Sequence, residues 1–463
     1  MRARLKPGVA AGHPATVDVG IEILQDGGSA ADAAVAACLA SCVAETVMTG
    51  LLGGGHGIYY DAASRKATLL DCFVAVPGLG AETREAELVE LQVPFGTELV
   101  HYAVGAASCG VPGLPAGLDA LRRAYGRLSW RRLVEPALVL ARSGVEFPPA
   151  HAACLEMLAP VMTMNEGARI YSPGGELLSG GARLQQPGLV DALETVAHEG
   201  AGSVYRGSIG EALLSLVQDR GGLVTRRDLE TYEPVWTAPD ESSYRGARFR
   251  TRRGLSDVPA ALAQLPALRG APEPERTLAF VRGLEGAGPE GDTTNLVTAD
   301  TDGNVCVLTT SLGLGSGDFL PDLDLHLNSM LGERDLIRRP LEPGERVDSM
   351  MSPALADDES GLLLAAGAAG GTRLRSALVQ VVAGVLDEGV GPEVAVDRPR
   401  LHPTGHVVHL EPGFEQSTIE RLEAEGYEAR SWAAPHHYFG GVSVITATGA
   451  AGDPRRSGAA RLL

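Results

Sequence analysis

At 463 residues, 44% of them hydrophobic, the chain is long enough for two or three ordinary domains or one large α/β unit with additions. Its formal net charge of −19 argues against nucleic acid or an anionic membrane as the main partner. Lysine occurs only at Lys6 and Lys66, which leaves little scope for a Schiff base or a phosphate-loop lysine.

The first eight residues are basic but carry no long apolar stretch, and no run of about 20 apolar residues follows anywhere. A cytoplasmic protein without a membrane span is expected. Cys38, Cys42, Cys72, Cys109, Cys154 and Cys306 include no CxxC pair and sit mostly among alanines and valines. They read as reduced, small core residues.

Residues 15–47 read as helix, broken at Gly27-Gly28-Ser29, with Ser29 placed to cap the alanine-rich run that follows. Gly50 to Gly57 then forms a glycine-rich loop before strand signals at 58–60 and 67–70. It matches neither GxGxxG nor GxxxxGK[ST], so close backbone packing at the start of a sheet is the better reading. Helices are expected over 114–125, 130–143, 189–198 and 209–219, and Thr225 is a plausible cap for a short helix through Asp228. Residues 236–291, rich in Arg, Pro, Ala and Gly, read as a surface linker with one helical patch near 274–284. Beyond it come strand signals at 295–299, 305–311, 362–366, 406–410 and 442–447, with a helix over 374–386. Layered sheets flanked by helices follow from this order, an α/β (α+β) fold class.

Thr293-Thr294 opens that second half. A new N-terminal Thr293 would supply nucleophile and base in one residue, through its hydroxyl and its own α-amine. On its own the pair is equally a strand start, since threonine favours strands. Other chemical signals are weak. His436 and His437, read as adjacent strand residues, point to opposite faces, and Asp322, Asp324, His326 and Glu333 match no cation-loop spacing. No metal and no cofactor is expected.

Several ordered signatures resolve the ambiguity at Thr293. Ala10-Ala11-Gly12-His13-Pro14, Ile23 to Ala36, the Gly53-Gly54-Gly55 loop, Gly110-Val111-Pro112-Gly113 and Gly221-Gly222-Leu223-Val224 stand in the first half. Ser349-Met350-Met351-Ser352-Pro353, Gly370-Gly371, Arg398-Pro399-Arg400-Leu401-His402 and Asp453-Pro454-Arg455-Arg456 stand in the second. In this order they resemble the γ-glutamyltranspeptidase family of N-terminal-nucleophile (Ntn) hydrolases over nearly the whole chain. The resemblance implies a four-layer αββα sandwich and a precursor that cuts itself between Asp292 and Thr293. A large portion, 1–292, and a small one, 293–463, would stay together as one intertwined domain. It further implies that Thr293 is the nucleophile, that Ser311 orients it, and that Gly370 and Gly371 form the oxyanion hole. The plain alternatives are a strand-end hydroxyl for Ser311 and an ordinary turn for the glycines.

The departures from the family fall on substrate contacts. In Leu70-Asp71-Cys72-Phe73-Val74-Ala75-Val76-Pro77, Phe73 and Val74 occupy the Arg-Glu positions whose Arg clamps the glutamyl α-carboxylate. An apolar residue cannot replace that bidentate clamp. Gly313 stands for an Asn, Met330 for a Gln or Glu, and Glu333 for the Asp that binds the α-amine. Met350 stands for the second Ser of a pair whose first is kept as Ser349, and Asn295 for a His. Three readings follow: an N-terminal-threonine hydrolase or acyltransferase for another amide or an activated C–C bond, as in alkylproline pathways; an ordinary γ-glutamyl hydrolase or transferase; and a homologue that never matures. The expected partners are a small-molecule substrate and the two fragments of the chain itself, with homo-oligomers left open.

Overall fold

Every side chain of the helix α2 (Ala30–Ala44) is buried, because a run of alanines, cysteines and valines has no polar face to offer water. Ser29 starts it with a capping box: its hydroxyl accepts from the Asp32 amide while Asp32 accepts from the Ser29 amide. The preceding helix α1 (Pro14–Gln25) packs beside it, and Gly20 lets α1 also sit on the strand at Gly8–Ala11, since a Cβ there would lie 2.9 Å from Val9. The computed structural model describes residues 4–81, 87–95, 98–285, 293–371 and 373–463.

Both helices cover one face of a seven-stranded sheet. Its strands are β1 (Gly8–Ala11), β2 (Gly54–Asp61), β3 (Lys66–Cys72), β4 (Val235–Thr237), β7 (Thr294–Ala299), β8 (Val305–Ser311) and β13 (Ala459–Leu462), in the order β13-β1-β7-β8-β2-β3-β4. A six-stranded sheet lies against its other face. It is built from β5 (Asp240–Tyr244), β6 (Ala247–Thr251), β9 (Ala354–Asp358), β10 (Gly361–Ala369), β11 (Gly441–Thr446) and β12 (Ala450–Gly452), in the order β12-β11-β10-β9-β6-β5.

Side-chain alternation sorts three cores. Leu296, Cys306 and Leu308 face the helices, whereas Val297, Val305 and Val307 meet Leu355, Leu362, Ala365 and Ile445 between the sheets. The outer face of the second sheet is covered by α3 (Val258–Gln264), α4 (Glu273–Leu284) and α5 (Arg373–Ala383). The result is the four-layer αββα sandwich expected from the resemblance.

Two expectations need correction. Residues 240–264 carry β5, β6 and α3 rather than linker, while α4 is the helical patch expected near 274–284. Their arginines misled: Arg248 and Arg250 share the buried Asp357 on the neighbouring strand, with Arg248 Nη2 2.7 Å from its carboxylate, instead of marking a solvated tail. The glycine-rich loop is also shorter than read, because β2 begins at Gly54; a Cβ on Gly53 would lie 2.2 Å from the Ser311 carbonyl oxygen. The cysteines are buried, as composition implied. Among the described residues no helix is long and apolar enough to cross a membrane.

Candidate active site

Strand β7 pairs with β8 so that Thr294 stands opposite Thr310, and β8 pairs with β2 so that Ser311 stands opposite Gly54. One residue before β7, the same register puts Thr293 opposite Ser311. Gly55 faces Cys72 on β3, which carries the row on to Phe73. Thr293, Ser311, Gly54 and Phe73 therefore form one line across the sheet end, on the face toward the second sheet.

The second sheet delivers the glycines to that line. Gly370 follows β10, and its amide donates to Thr293 Oγ1 at 3.2 Å. Gly370 and Gly371 have φ of +116° and +59°, and a Cβ on Gly370 would come within 2.8 Å of the Gly440 Cα. Only glycine turns the chain there and aims a backbone N–H at the hydroxyl. Ser311 Oγ accepts from the Gly313 amide at 2.8 Å, which ties the end of β8 to the following loop. Asp292 lies outside the described residues.

Two further side chains hold the Thr293–Thr294 peptide from behind, and sequence reasoning did not single them out. Arg456 donates to the Thr293 carbonyl at 3.3 Å, and also to Met48 Sδ and the His437 carbonyl. Glu45, the residue after α2, accepts the Thr294 hydroxyl through Oε2 and the Thr16 hydroxyl through Oε1 at 2.7 Å. Burial pushes its carboxyl up to about 7, against the pull of both hydroxyls and the charge of Arg456. The available signal was a lone carboxylate closing a long run of small buried residues. Asn295, in the place of a His, links the sheets: its Oδ1 accepts from the Ser443 amide at 3.0 Å and its Nδ2 donates to the Gly441 carbonyl at 3.3 Å.

Four of the positions that depart from the family pattern converge. Phe73, Val74, Met330 and Met350 pack with Leu336, Val347 and Met351 in one buried apolar cluster. Gly313 has a φ of +70°, and a Cβ on it would lie 2.3 Å from Glu333 Oε1 and 2.6 Å from Ser329 Oγ, so an asparagine has no room. Ser349 accepts the Met351 amide on its hydroxyl at 3.2 Å, and its carbonyl accepts from Arg252 Nη1 at 2.8 Å.

Behind Phe73, His56 stacks on its ring with centroids 5.3 Å apart. Burial, helped by the charges of Arg252 and Arg346, pushes His56 down to about 3, so it is neutral at pH 7. The remaining singled-out groups serve separate contacts. Asp324 pairs with Arg169 and accepts from the Gly188 amide, His326 Nε2 accepts from the Gly317 amide, and Glu333 lies against Gly313. His436 and His437 belong to a 3-10 turn rather than a strand, with ring centroids 4.1 Å apart and His436 Nδ1 capping the Tyr438 amide.

The gamma-glutamyltranspeptidase family model matches residues 16–279 and 271–463. The chain belongs to this family. As a gamma-glutamyltranspeptidase-family protein it is an enzyme of the Ntn-hydrolase type, and its relatives include an acylase and glutathione hydrolases. It is 27% identical to the acylase ACY 1 proenzyme of Pseudomonas sp. (strain V22), over 96% of this chain and 91% of that one. It is 24% identical to the glutathione hydrolase proenzyme of Bacillus subtilis (strain 168), over 91% and 84%. The fold matches the crystal structure of cephalosporin acylase from Bacillus halodurans with a TM-score of 0.82 and 22% identity, covering 100% of this chain and 96% of that one.

Proposed function

We propose that this family member is an autoprocessing N-terminal-threonine hydrolase or acyltransferase that acts on an acyl group other than γ-glutamyl, held in an amide or an activated C–C bond. One observation carries the reading: a backbone N–H from a left-handed glycine meets the hydroxyl of Thr293, the residue at which the chain would be cut. In maturation Thr293 Oγ attacks the Asp292 carbonyl, the peptide becomes an ester, and water releases the large portion 1–292 and the small portion 293–463. The freed α-amine, with a reference pKa of about 7.7–8.0, then takes the Oγ proton as the hydroxyl attacks the substrate carbonyl. Gly370, with Gly371 after it, stabilises the oxyanion, an interaction whose loss typically costs about 3–4 kcal/mol. The leaving group departs with that proton, and water or an acceptor amine resolves the ester on Thr293.

The apolar cluster at Phe73, Val74, Met330 and Met350 supports the substrate class, since it replaces the cation and polar groups that a free amino-acid head group needs. The acylase among the relatives, named for acyl cleavage rather than for glutathione, supports it independently. A γ-glutamyl reading keeps one support, the buried Glu333 beside Gly313. Intact mass of the purified protein tests maturation: two fragments joined at 292/293 are expected, and one uncut chain in both wild type and T293A refutes the mechanism. Incubation with simple aliphatic and aryl amides, against a γ-glutamyl anilide, tests the substrate. Faster turnover of the γ-glutamyl donor refutes the apolar reading.

A further inference from the structure

A residue that becomes an N-terminus keeps one covalent neighbour, so its orientation depends on whatever holds the peptide that follows it. For Thr293 that peptide is gripped at two points. Arg456 donates to the Thr293 carbonyl at 3.3 Å, and Glu45 takes the hydroxyl of Thr294. Glu45 is buried and anchored on both sides: its amide donates to the Ser41 carbonyl at the end of α2, and its other oxygen takes the Thr16 hydroxyl at 2.7 Å. Gly12 leaves the carboxylate its place, since a Cβ there would lie 2.3 Å from Glu45 Oε2 and 2.8 Å from Thr294 Oγ1.

We propose that Glu45 is a positioning residue for the nucleophile: together with Arg456 it clamps the Thr293–Thr294 peptide from behind, and the ionised carboxylate is the form that holds the clamp. This rests on Thr293 being the nucleophile. The chemistry follows from donor and acceptor counting. A carboxylate accepts both threonine hydroxyls at once and balances the guanidinium of Arg456. A neutral acid carries one O–H that must be donated, so one threonine hydroxyl has to reverse from donor to acceptor and the charge opposite Arg456 is lost. Burial makes this switch titrate far above an ordinary glutamate, at about 7. The groups around it are accounted for. Arg456 faces it from the C-terminal turn and Cys38 from α2, while α1 and β7 contribute the hydroxyls of Thr16 and Thr294. Asp453 lines the same small space but is engaged by Arg400, Arg455 and the Val442 amide. Maturation adds the α-amine of Thr293 as one further titrating group.

The test labels mature Thr293 with a small β-lactone. The hydroxyl opens the ring, an ester forms, the ring C–O bond breaks, and the Oγ proton passes through the α-amine to the released oxygen. Rates are followed by intact mass between pH 5 and 9. For the wild type the acidic limb should contain two ionisations, Glu45 and the α-amine. In E45Q it should contain one, with the plateau rate lower by about 10- to 100-fold, the usual cost of a misplaced nucleophile. T16V, which touches neither Thr293 nor Thr294, should move the Glu45 ionisation up by about 1 pH unit, because the carboxylate loses a donor. An infrared carboxyl band that titrates near pH 7 in wild type, and is missing in E45Q, reads the same group without turnover. If E45Q does not fold, T16V and the wild-type band decide. A wild type never cut before Thr293 overturns the functional reading. A cut enzyme whose E45Q and T16V profiles superimpose on the wild type, or whose carboxyl band titrates at an ordinary glutamate pH, overturns this proposal alone.

Discussion

Asn295→Ala should destabilise the fold by about 3 kcal/mol, because the amide side chain joins the two sheets two residues beyond Thr293. It accepts from the Ser443 amide at 3.0 Å and donates to the Gly441 carbonyl at 3.3 Å, and it is buried under Gly367, where a Cβ would sit 3.2 Å from its own. Truncation leaves two buried backbone groups without those partners, at about 1–3 kcal/mol each, and a water entering the vacated space brings the total toward the lower half of that range. The measurement is urea unfolding followed by tryptophan fluorescence, in a T293A background so that only uncut chain is compared. A lower midpoint at unchanged slope is expected. Asn295→Asp keeps the acceptor for Ser443 but turns a carboxylate toward the Gly441 carbonyl, so it should be no more stable than the alanine variant. A loss below about 1 kcal/mol for both would show that these sheet-to-sheet bonds add little beyond what water supplies, and would refute the reasoning.

Gly370→Ala combines a φ of +116° with a Cβ 2.8 Å from the Gly440 backbone, so the amide must swing away from Thr293. Self-cleavage and turnover, both read by mass, should each fall by about 10²–10³-fold. Phe73→Arg should not create a γ-glutamyl enzyme: the side chain is 1% exposed, it stacks on His56, and Arg252 and Arg346 already charge that region. The variant should lose stability with no gain on a γ-glutamyl anilide, and a gain would contradict the placement. Burial pushes His326 down to about 3, below its unfolded value of about 6.5, so the unfolded chain binds the proton first. Its contribution is complete above pH 6.5 and is lost as pH falls toward 3, by about 2 kcal/mol at pH 5. H326Q, which keeps an acceptor for the Gly317 amide, should flatten that part of the urea midpoint's pH dependence.

Much of the architecture was legible because periodicity and caps carried it. The helices at 114–125 and 130–143 have the expected bounds, and Ser29 and Thr225 both form capping boxes. The strand at 305–311 likewise stands where alternation placed it. What stayed hidden was decided by partners far along the chain. Strands β1 and β13 are four residues each, too short for a pattern, and they exist because β1 pairs with β7 on one side and with β13 on the other. Arg248 and Arg250 read as surface because their shared acid, Asp357, lies more than a hundred positions away. At the site, the family resemblance rather than residue type pointed to Thr293 and its glycines, and the apolar turn taken by Phe73, Met330 and Met350 was visible as substitutions against that family. Glu45 was not, since nothing local says that a carboxylate after a buried helix lies beneath a threonine on a distant strand.

The placing of β7 has a consequence for what a cut at residue 293 does to the molecule. That strand lies inside its sheet, between β1 and β8, and both sheets combine strands from before and after the cut. Pulling the halves apart would require breaking the β1–β7, β1–β13, β2–β8 and β6–β9 ladders together. The two pieces therefore have no dissociation constant distinct from global unfolding. Diluting the cut protein should never yield free halves, and each half expressed alone should lack the neighbours that give its strands their shape.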